Sequence, residues 1–336
     1  MRIEAKVTVV PKKGITNSSE YNKTLLFMET PIVKVENLSH RYNIQWAIRD
    51  INFEITRNGV YGLLGSNGAG KSTTMNIMCG VLKPTEGNVY INDISLQDHP
   101  IAAKSQIGFL PQQAPLYMDM TVNEYLTHCA RMRHIPPKNI SEAVRRVMTY
   151  CDITHFEKRV IRNLSGGYQQ RVGIAQAIVH NPSVVIFDEP TNGLDPNQII
   201  EVRHLIQEIA RDKTVILSTH ILREVQSICN YIYMIEQGTL VFSGTIEKFY
   251  NYIEPNSLII SLISAPPMEE LRTIPGVTSV EEIGGTRYRL RFSERQYITT
   301  RIAETSVARG WRLNELRLEK SSLDSIFAEL SRYKQS

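Results

Sequence analysis

The run from Gly59 to Thr73, GVYGLLGSNGAGKST, constrains the chain more than any other stretch. An apolar, β-rich segment passes into Gly65-x-x-x-x-Gly70-Lys71-Ser72, and the helical pattern TTMNIMCG follows at once. A strand that turns through glycines into a helix is the setting a phosphate-binding loop requires. Without Cβ atoms, the backbone from Gly65 through Ser66, Asn67, Gly68, Ala69 and Gly70 can curl its N–H groups around phosphates, and the following helix turns its positive end toward them. Lys71 is placed for the β and γ phosphates, the Ser72 hydroxyl for Mg²⁺, and Thr73 continues the first turn. A glycine-rich turn without a ligand is the bland alternative, and the Lys-Ser pair argues against it.

A nucleotide site also needs a carboxylate at the end of a buried strand, and SVVIFDEP supplies Asp188 and Glu189. Asp188 is expected to hold Mg²⁺ directly or through water, and Glu189 to orient or deprotonate the attacking water. Continuous apolar runs such as SVVIFD and TVILST indicate strands covered on both faces, hence a mainly parallel sheet wrapped by helices. From Ile32 to about Phe242 such runs alternate with helical patterns, and residues 108–162 turn helical and polar, as an inserted helical subdomain would.

After Gly244 the order reads strand, helix, strand, strand, helix, strand, with the second helix expected over 293–308 and a last helix near LDSIFAEL. That order is the ferredoxin-like split βαβ arrangement. In TRYRLRF, Arg287, Arg289 and Arg291 share one strand face, which reads as a solvated charged surface or, alternatively, as a site for an anionic ligand. The polar, basic stretch 1–27 is either a flexible leader or sequence upstream of a start at Met28.

Hydrophobic residues make up 42% of the 336-residue chain and charged ones 21%, enough apolar material for two domains. The net charge of +4, 38 basic against 34 acidic residues, is too slight for the footprint of a nucleic-acid binder. Four scattered cysteines without CxxC spacing indicate neither a zinc site nor a disulfide framework. No apolar run is long enough for a membrane span, so the expected place is the cytoplasm, or a membrane surface reached through a partner.

Leu164 to Arg171 reads LSGGYQQR, and with it the chain resembles the ATP-binding cassette (ABC) ATPases, over about residues 32–244. Ser165, Gly166 and Gly167 match that family's signature motif. Tyr42 resembles the aromatic that stacks on adenine, with Trp46 as the rival. Gln112 resembles the loop glutamine that senses Mg²⁺ and meets the membrane partner, with Gln113 as the rival. Asp195 in NGLDP and His220 in LSTH complete the order. Read alone, Asp195 could also cap the helix that begins at Pro196, and His220 could be a structural histidine.

The resemblance implies a P-loop ABC fold over 28–244, with a mainly parallel core sheet, an antiparallel β subdomain and a helical subdomain over about 112–166. A small α+β accessory domain would fill 245–336. It implies a catalytic set of Glu189, His220 and Gln112, Mg²⁺ held by Ser72, Gln112 and Asp188, and ATP bound by Tyr42, the loop from Gly65 to Thr73, Ser165, Gly166, Gly167 and Asp195. It further implies a homodimer with each ATP between one copy's loop and the other's signature. The dimer would drive a separate integral-membrane permease, with export favoured, from the inner face of the membrane. The rival class is a soluble ABC ATPase acting on ribosomes or DNA; no doubled cassette, coiled coil or zinc insertion supports it. A module that binds ATP without hydrolysing it would be expected to lack Glu189 or His220.

Overall fold

The computed structural model describes residues 30–252, 256–293, 296–319, 326–327 and 330. The leader or start reading for 1–27 and Met28 lies outside them, as does most of the last helix.

Alternating apolar residues after Ile32 form β1 (Val33–Tyr42), which pairs antiparallel with β2 (Gln45–Ile55). The chain then makes β3 (Gly59–Leu64), the phosphate-loop turn and α1 (Lys71–Met78). β4 (Glu86–Ile91) and β5 (Ile94–Ser95) return to β1, completing an antiparallel sheet of order β2-β1-β4-β5. A short α2 (Pro100–Ser105) leads into β6 (Ile107–Leu110).

The helical insertion follows from local signals. α3 (Val122–Met132) opens on a capping box: Thr121 accepts from the Glu124 backbone while the Glu124 side chain bonds back to Thr121. α4 (Pro137–Tyr150) starts with proline and buries Ile140, Ala143, Val144, Val147 and Met148, the stripe expected at helical spacing. α5 (Gly166–Ile178) runs from the signature back to the sheet. It precedes β7 (Val184–Asp188), α6 (Pro196–Ile209), β8 (Thr214–Thr219), α7 (Leu222–Ile228), β9 (Tyr231–Glu236), β10 (Thr239–Thr245) and α8 (Ile246–Tyr250).

The core sheet has the order β10-β9-β3-β8-β7-β6, parallel except for the antiparallel edge strand β10. The alternation along β7 explains its uninterrupted hydrophobicity: Val184 and Ile186 enter the core shared with α1 and the antiparallel sheet, whereas Val185 and Phe187 enter the core shared with the helices. Truncating the fully buried Phe187 to Ala is expected to cost roughly 3–5 kcal/mol.

A third sheet contains β11 (Ser257–Leu262), β12 (Val277–Gly284), β13 (Arg287–Phe292) and β14 (Leu313–Glu319), with α9 (Met268–Arg272) after β11 and α10 (Ile298–Ala308) after β13. Its order, β12-β13-β11-β14, is antiparallel throughout and has the split βαβ connectivity that the sequence order suggests. α10 starts later than the expected Ser293, because Tyr297 takes a left-handed backbone conformation (φ 66°) that cannot continue a helix. Phe249, Ile326 and Leu330 pack in the core of the first part and not in that of the third sheet, so the chain returns to the earlier core after β14. On the exposed face of β13, Arg289 grips Glu319 with two bonds of 2.8 and 3.0 Å and Glu281 with one of 3.0 Å, and Arg287 lies 3.3 Å from Glu315. Carboxylates of β12 and of β14, one strand further across the sheet, thus occupy Arg287 and Arg289, in keeping with a solvated charged face.

Candidate functional site

Four adjacent strands, β3, β8, β7 and β6, end on the same side of the core sheet, and the chain leaves each of them toward a predicted site residue. Strands spaced about 4.8 Å apart bring residues far apart in sequence within reach of one another at such an edge.

The loop after β3 depends on glycine in two places. A Cβ on Gly65 would lie 2.1 Å from the Ile235 carbonyl oxygen, and Gly70 caps α1 at φ 111° with Ile48 Cγ2 2.5 Å from where its Cβ would be. Lys71 folds its ammonium into the loop and donates to the carbonyls of Gly65 and Ser66, each at 2.9 Å. Burial lowers its pKa below the usual lysine value, opposed by the charges of Glu189, Asp188 and Glu236. Glu236 accepts from the Ser66 hydroxyl at 2.6 Å and tethers the loop to the end of β9. No side chain caps α1, so its first N–H groups are offered to a ligand.

Opposite the loop, Glu189 adopts a left-handed backbone conformation (φ 48°) that costs on the order of 1 kcal/mol for a side chain of this kind. Two bonds hold it there: its N–H donates to Ser218 Oγ at 2.9 Å, and the Asn192 N–H donates to its carbonyl at 3.1 Å. The Glu189 carboxylate accepts from Gln112 Nε2 at 3.1 Å and from Asn192 Nδ2 at 3.4 Å, and His220 Nδ1 lies 2.9 Å from its other oxygen. Asp188, 7% exposed, accepts from the Ser218 hydroxyl, which therefore braces both acidic residues.

Lys71, Ser72, Thr73, Asn67, Gly68, Gly70, Gln112, Glu189 and His220 line one cleft of about 440 Å³, together with Ala47 and Asn192. Gly65, Ser66 and Ala69 frame the loop behind it. Neither Tyr42 nor Trp46 lines this cleft: Tyr42 is an exposed ring at the end of β1, edge-on to His40, and Trp46 has the guanidinium groups of Arg41 and Arg49 at 5.7 and 5.2 Å from its ring centroid.

Ser165, Gly167 and Asp195 fall in a separate cleft of about 250 Å³, shared with Tyr168, Arg171 and Gln198. Asp195 caps α6 by accepting from the N–H groups of Asn197 (2.9 Å) and Gln198 (3.0 Å). Ser165 is the N-cap of α5, yet its side chain makes no capping bond; it and Gly166 are exposed. Gly167 is buried against Gln198, whose Cδ lies 2.6 Å from where a Cβ would sit. Within one chain the signature therefore does not meet the phosphate loop.

Sequence reasoning missed Asn192, Ser218 and Glu236. Asn192 had a readable cue, an amide three residues beyond Glu189 in a turn-rich TNG run; the other two had none outside the strand order.

Among the described residues no group of three or more His, Cys, Asp or Glu is placed to hold a metal by itself. The cleft instead offers the Ser72 hydroxyl, amide oxygens and the Glu189 carboxylate beside a phosphate cradle, with the buried Asp188 next in sequence but not lining it, a donor set that suits Mg²⁺ carried in on nucleotide phosphates. No described helix is long and apolar enough to cross a membrane.

A family model described as ABC transporter matches residues 48–192. The chain is 32% identical over 223 residues to the ABC transporter ATP-binding protein NatA of Bacillus subtilis (strain 168), covering 63% of this chain and 91% of that protein. It is 27% identical over 307 residues to the linearmycin resistance ATP-binding protein LnrL of the same organism, covering 89% of this chain and 98% of that one. Among solved structures it is similar to a dimeric post-hydrolysis state of the ATP-binding cassette MJ0796 bound to ADP and Pi, with a TM-score of 0.57, 26% identity, and coverage of 64% of this chain and 98% of that one.

Proposed function

The chain belongs to the ABC transporter ATP-binding proteins, ATPases that serve transport, and from that premise we propose how its own residues divide the work. Two copies pack head to tail, so that each ATP is held by the phosphate loop of one and met by Ser165, Gly166 and Gly167 of the other. The observation that carries this reading is the division of the site residues between two clefts, with the uncapped start of α5 exposed. A helix start with free N–H groups attracts an anion, and the γ-phosphate is the anion that disappears on hydrolysis. ATP then joins the two copies, and its cleavage releases them.

In each site Lys71 and the loop N–H groups bind the phosphates. Ser72, Asp188 and Gln112 would hold Mg²⁺, which neutralises charge on the β and γ oxygens when bound. Glu189 accepts a proton from, or orients, the water that attacks the γ-phosphate, and His220 reaches the same phosphate from the end of β8. Tyr42 supplies a stacking surface for adenine from the rim. Asp195 holds the start of α6 beside the signature.

The partner we infer is an integral-membrane permease on a separate chain, which places the ATPase on the inner face of the membrane. The loop after Gln112 exposes Tyr117 and Met118, an apolar pair suited to a helix of such a partner. LnrL, matched over nearly its whole length, is named for linearmycin resistance, which fits outward movement better than uptake.

The test is Glu189→Gln. It keeps ATP binding, lowers hydrolysis by about a hundredfold or more, and accumulates an ATP-bound dimer seen by light scattering. Wild-type turnover in this variant would remove Glu189 from the catalytic role. Purification from native membranes with ATP should bring an integral membrane protein; ribosomal proteins or DNA would favour the other class.

A further inference from the structure

One buried carboxylate takes no part in the chemistry above. Glu224 is 3% exposed and lies in the first turn of α7, four residues beyond His220. Its Oε1 accepts the hydroxyl of Thr191, and its Oε2 accepts that of Thr219 at 2.7 Å. Both hydroxyls belong to buried residues beside the two catalytic segments: Thr191 lies two residues after Glu189, and Thr219, the last residue of β8, immediately precedes His220. The Thr219 hydroxyl also accepts the Ile221 N–H at 3.0 Å, so the backbone on both sides of His220 is fixed to the same point. The nearby cation is Arg203 of α6, 3.6 Å from Oε1.

We infer that Glu224 is a positioning residue for hydrolysis, setting the separation of the Glu189 turn and the His220 loop. The inference rests on the roles proposed above for Glu189 and His220. An ionised carboxylate only accepts, so both hydroxyls must point at it, and each fixes the rotamer and backbone of its own loop. Glu189 gains from such bracing, because its left-handed backbone persists only where the surroundings over-determine it. An amide in place of the carboxylate keeps the volume, but its NH₂ donates, so the hydroxyl it faces must turn round to accept and both bonds lose their charge assistance; the braces are weakened while packing is preserved.

The experiment compares Glu224→Gln, Thr219→Val and Thr219→Ser with wild type for melting temperature, ATP affinity of the monomer, kcat and KM. Glu224→Gln and Thr219→Val should each lower kcat about tenfold, with ATP affinity and KM within about twofold, because the phosphate loop is not braced by this cluster. Thr219→Ser keeps the hydroxyl and should retain wild-type kcat. The double variant Glu224→Gln/Thr219→Val should lose less than the product of the two single losses, since both changes act on one coupled cluster. Wild-type kcat in a folded Glu224→Gln protein, additive losses in the double variant, or loss of kcat and ATP affinity in parallel would overturn the inference. Should Glu224→Gln not fold, the Thr219 pair decides: equal kcat for Val and Ser refutes it. An active Glu189→Gln protein would instead refute the underlying assignment, so the two failures are distinguishable.

Discussion

Two helix starts in this chain are suited to phosphate, and they are built in opposite ways. At α1 the loop is held from within, although the first helical N–H groups are left uncapped: Lys71 is tied to the Gly65 and Ser66 carbonyls, Glu236 holds Ser66, and Gly70 fits against Ile48. At α5 little is: the Ser165 hydroxyl caps nothing, and apart from its own neighbours and helix backbone no heavy atom lies within 4 Å of where a Cβ on Gly166 would be. Only Gly167 is packed, against Gln198 at the start of α6. A pre-organised loop binds without paying to order itself, so the first start can hold ATP in a single copy. On the reading proposed above, the second start is a surface that waits for another copy, and its contribution comes only on dimerisation.

That contrast breaks most visibly at Lys71. Lys71→Ala should weaken ATP binding by the isolated chain about a hundredfold or more and abolish turnover, because a buried charge-assisted contact to phosphate is lost; titration with a fluorescent ATP analogue measures it. Ser165→Arg sharpens the contrast from the other side. Single-copy ATP affinity should stay within about twofold while hydrolysis falls about a hundredfold, as the added side chain obstructs only the facing copy. A parallel fall of affinity in that variant would mean that the two clefts act within one chain.

The loop motifs were legible because each is short and chemically over-specified: glycines where a Cβ meets backbone, Lys71 and Ser72 at fixed offsets, an acidic pair closing an apolar strand. The connectivity of the third sheet was also legible, since alternating strands and helical stretches are bounded by Pro275-Gly276 and Gly284-Gly285. What escaped the sequence depends on which strands become neighbours. Ser218 serves Asp188 and Glu189 only because β7 pairs with β8, and Glu224 reaches Thr191 for the same reason. Ile326 and Leu330 are an apolar i, i+4 pair that carries no address, and they return to the first core although the intervening strands build another. The late start of α10 follows from the backbone of Tyr297, an aromatic residue that announces no left-handed turn.

The smallest effect is expected far from both clefts. Arg289→Ala removes three bonds to Glu319 and Glu281 on a partly solvated sheet face, so it should lower stability by about 1 kcal/mol or less. ATP turnover by that variant should equal wild type; a large loss would tie the third sheet to the ATPase cycle.

Whether the two helix starts complete each other across copies is tested most directly by a crystal structure of the Glu189→Gln protein with ATP and Mg²⁺. Two nucleotides are predicted at one interface, each with its phosphates on the Lys71 loop of one copy and its γ-phosphate within hydrogen-bonding distance of Ser165 in the other. ATP held on the Lys71 loop with Ser165 of every copy left in solvent would contradict that pairing.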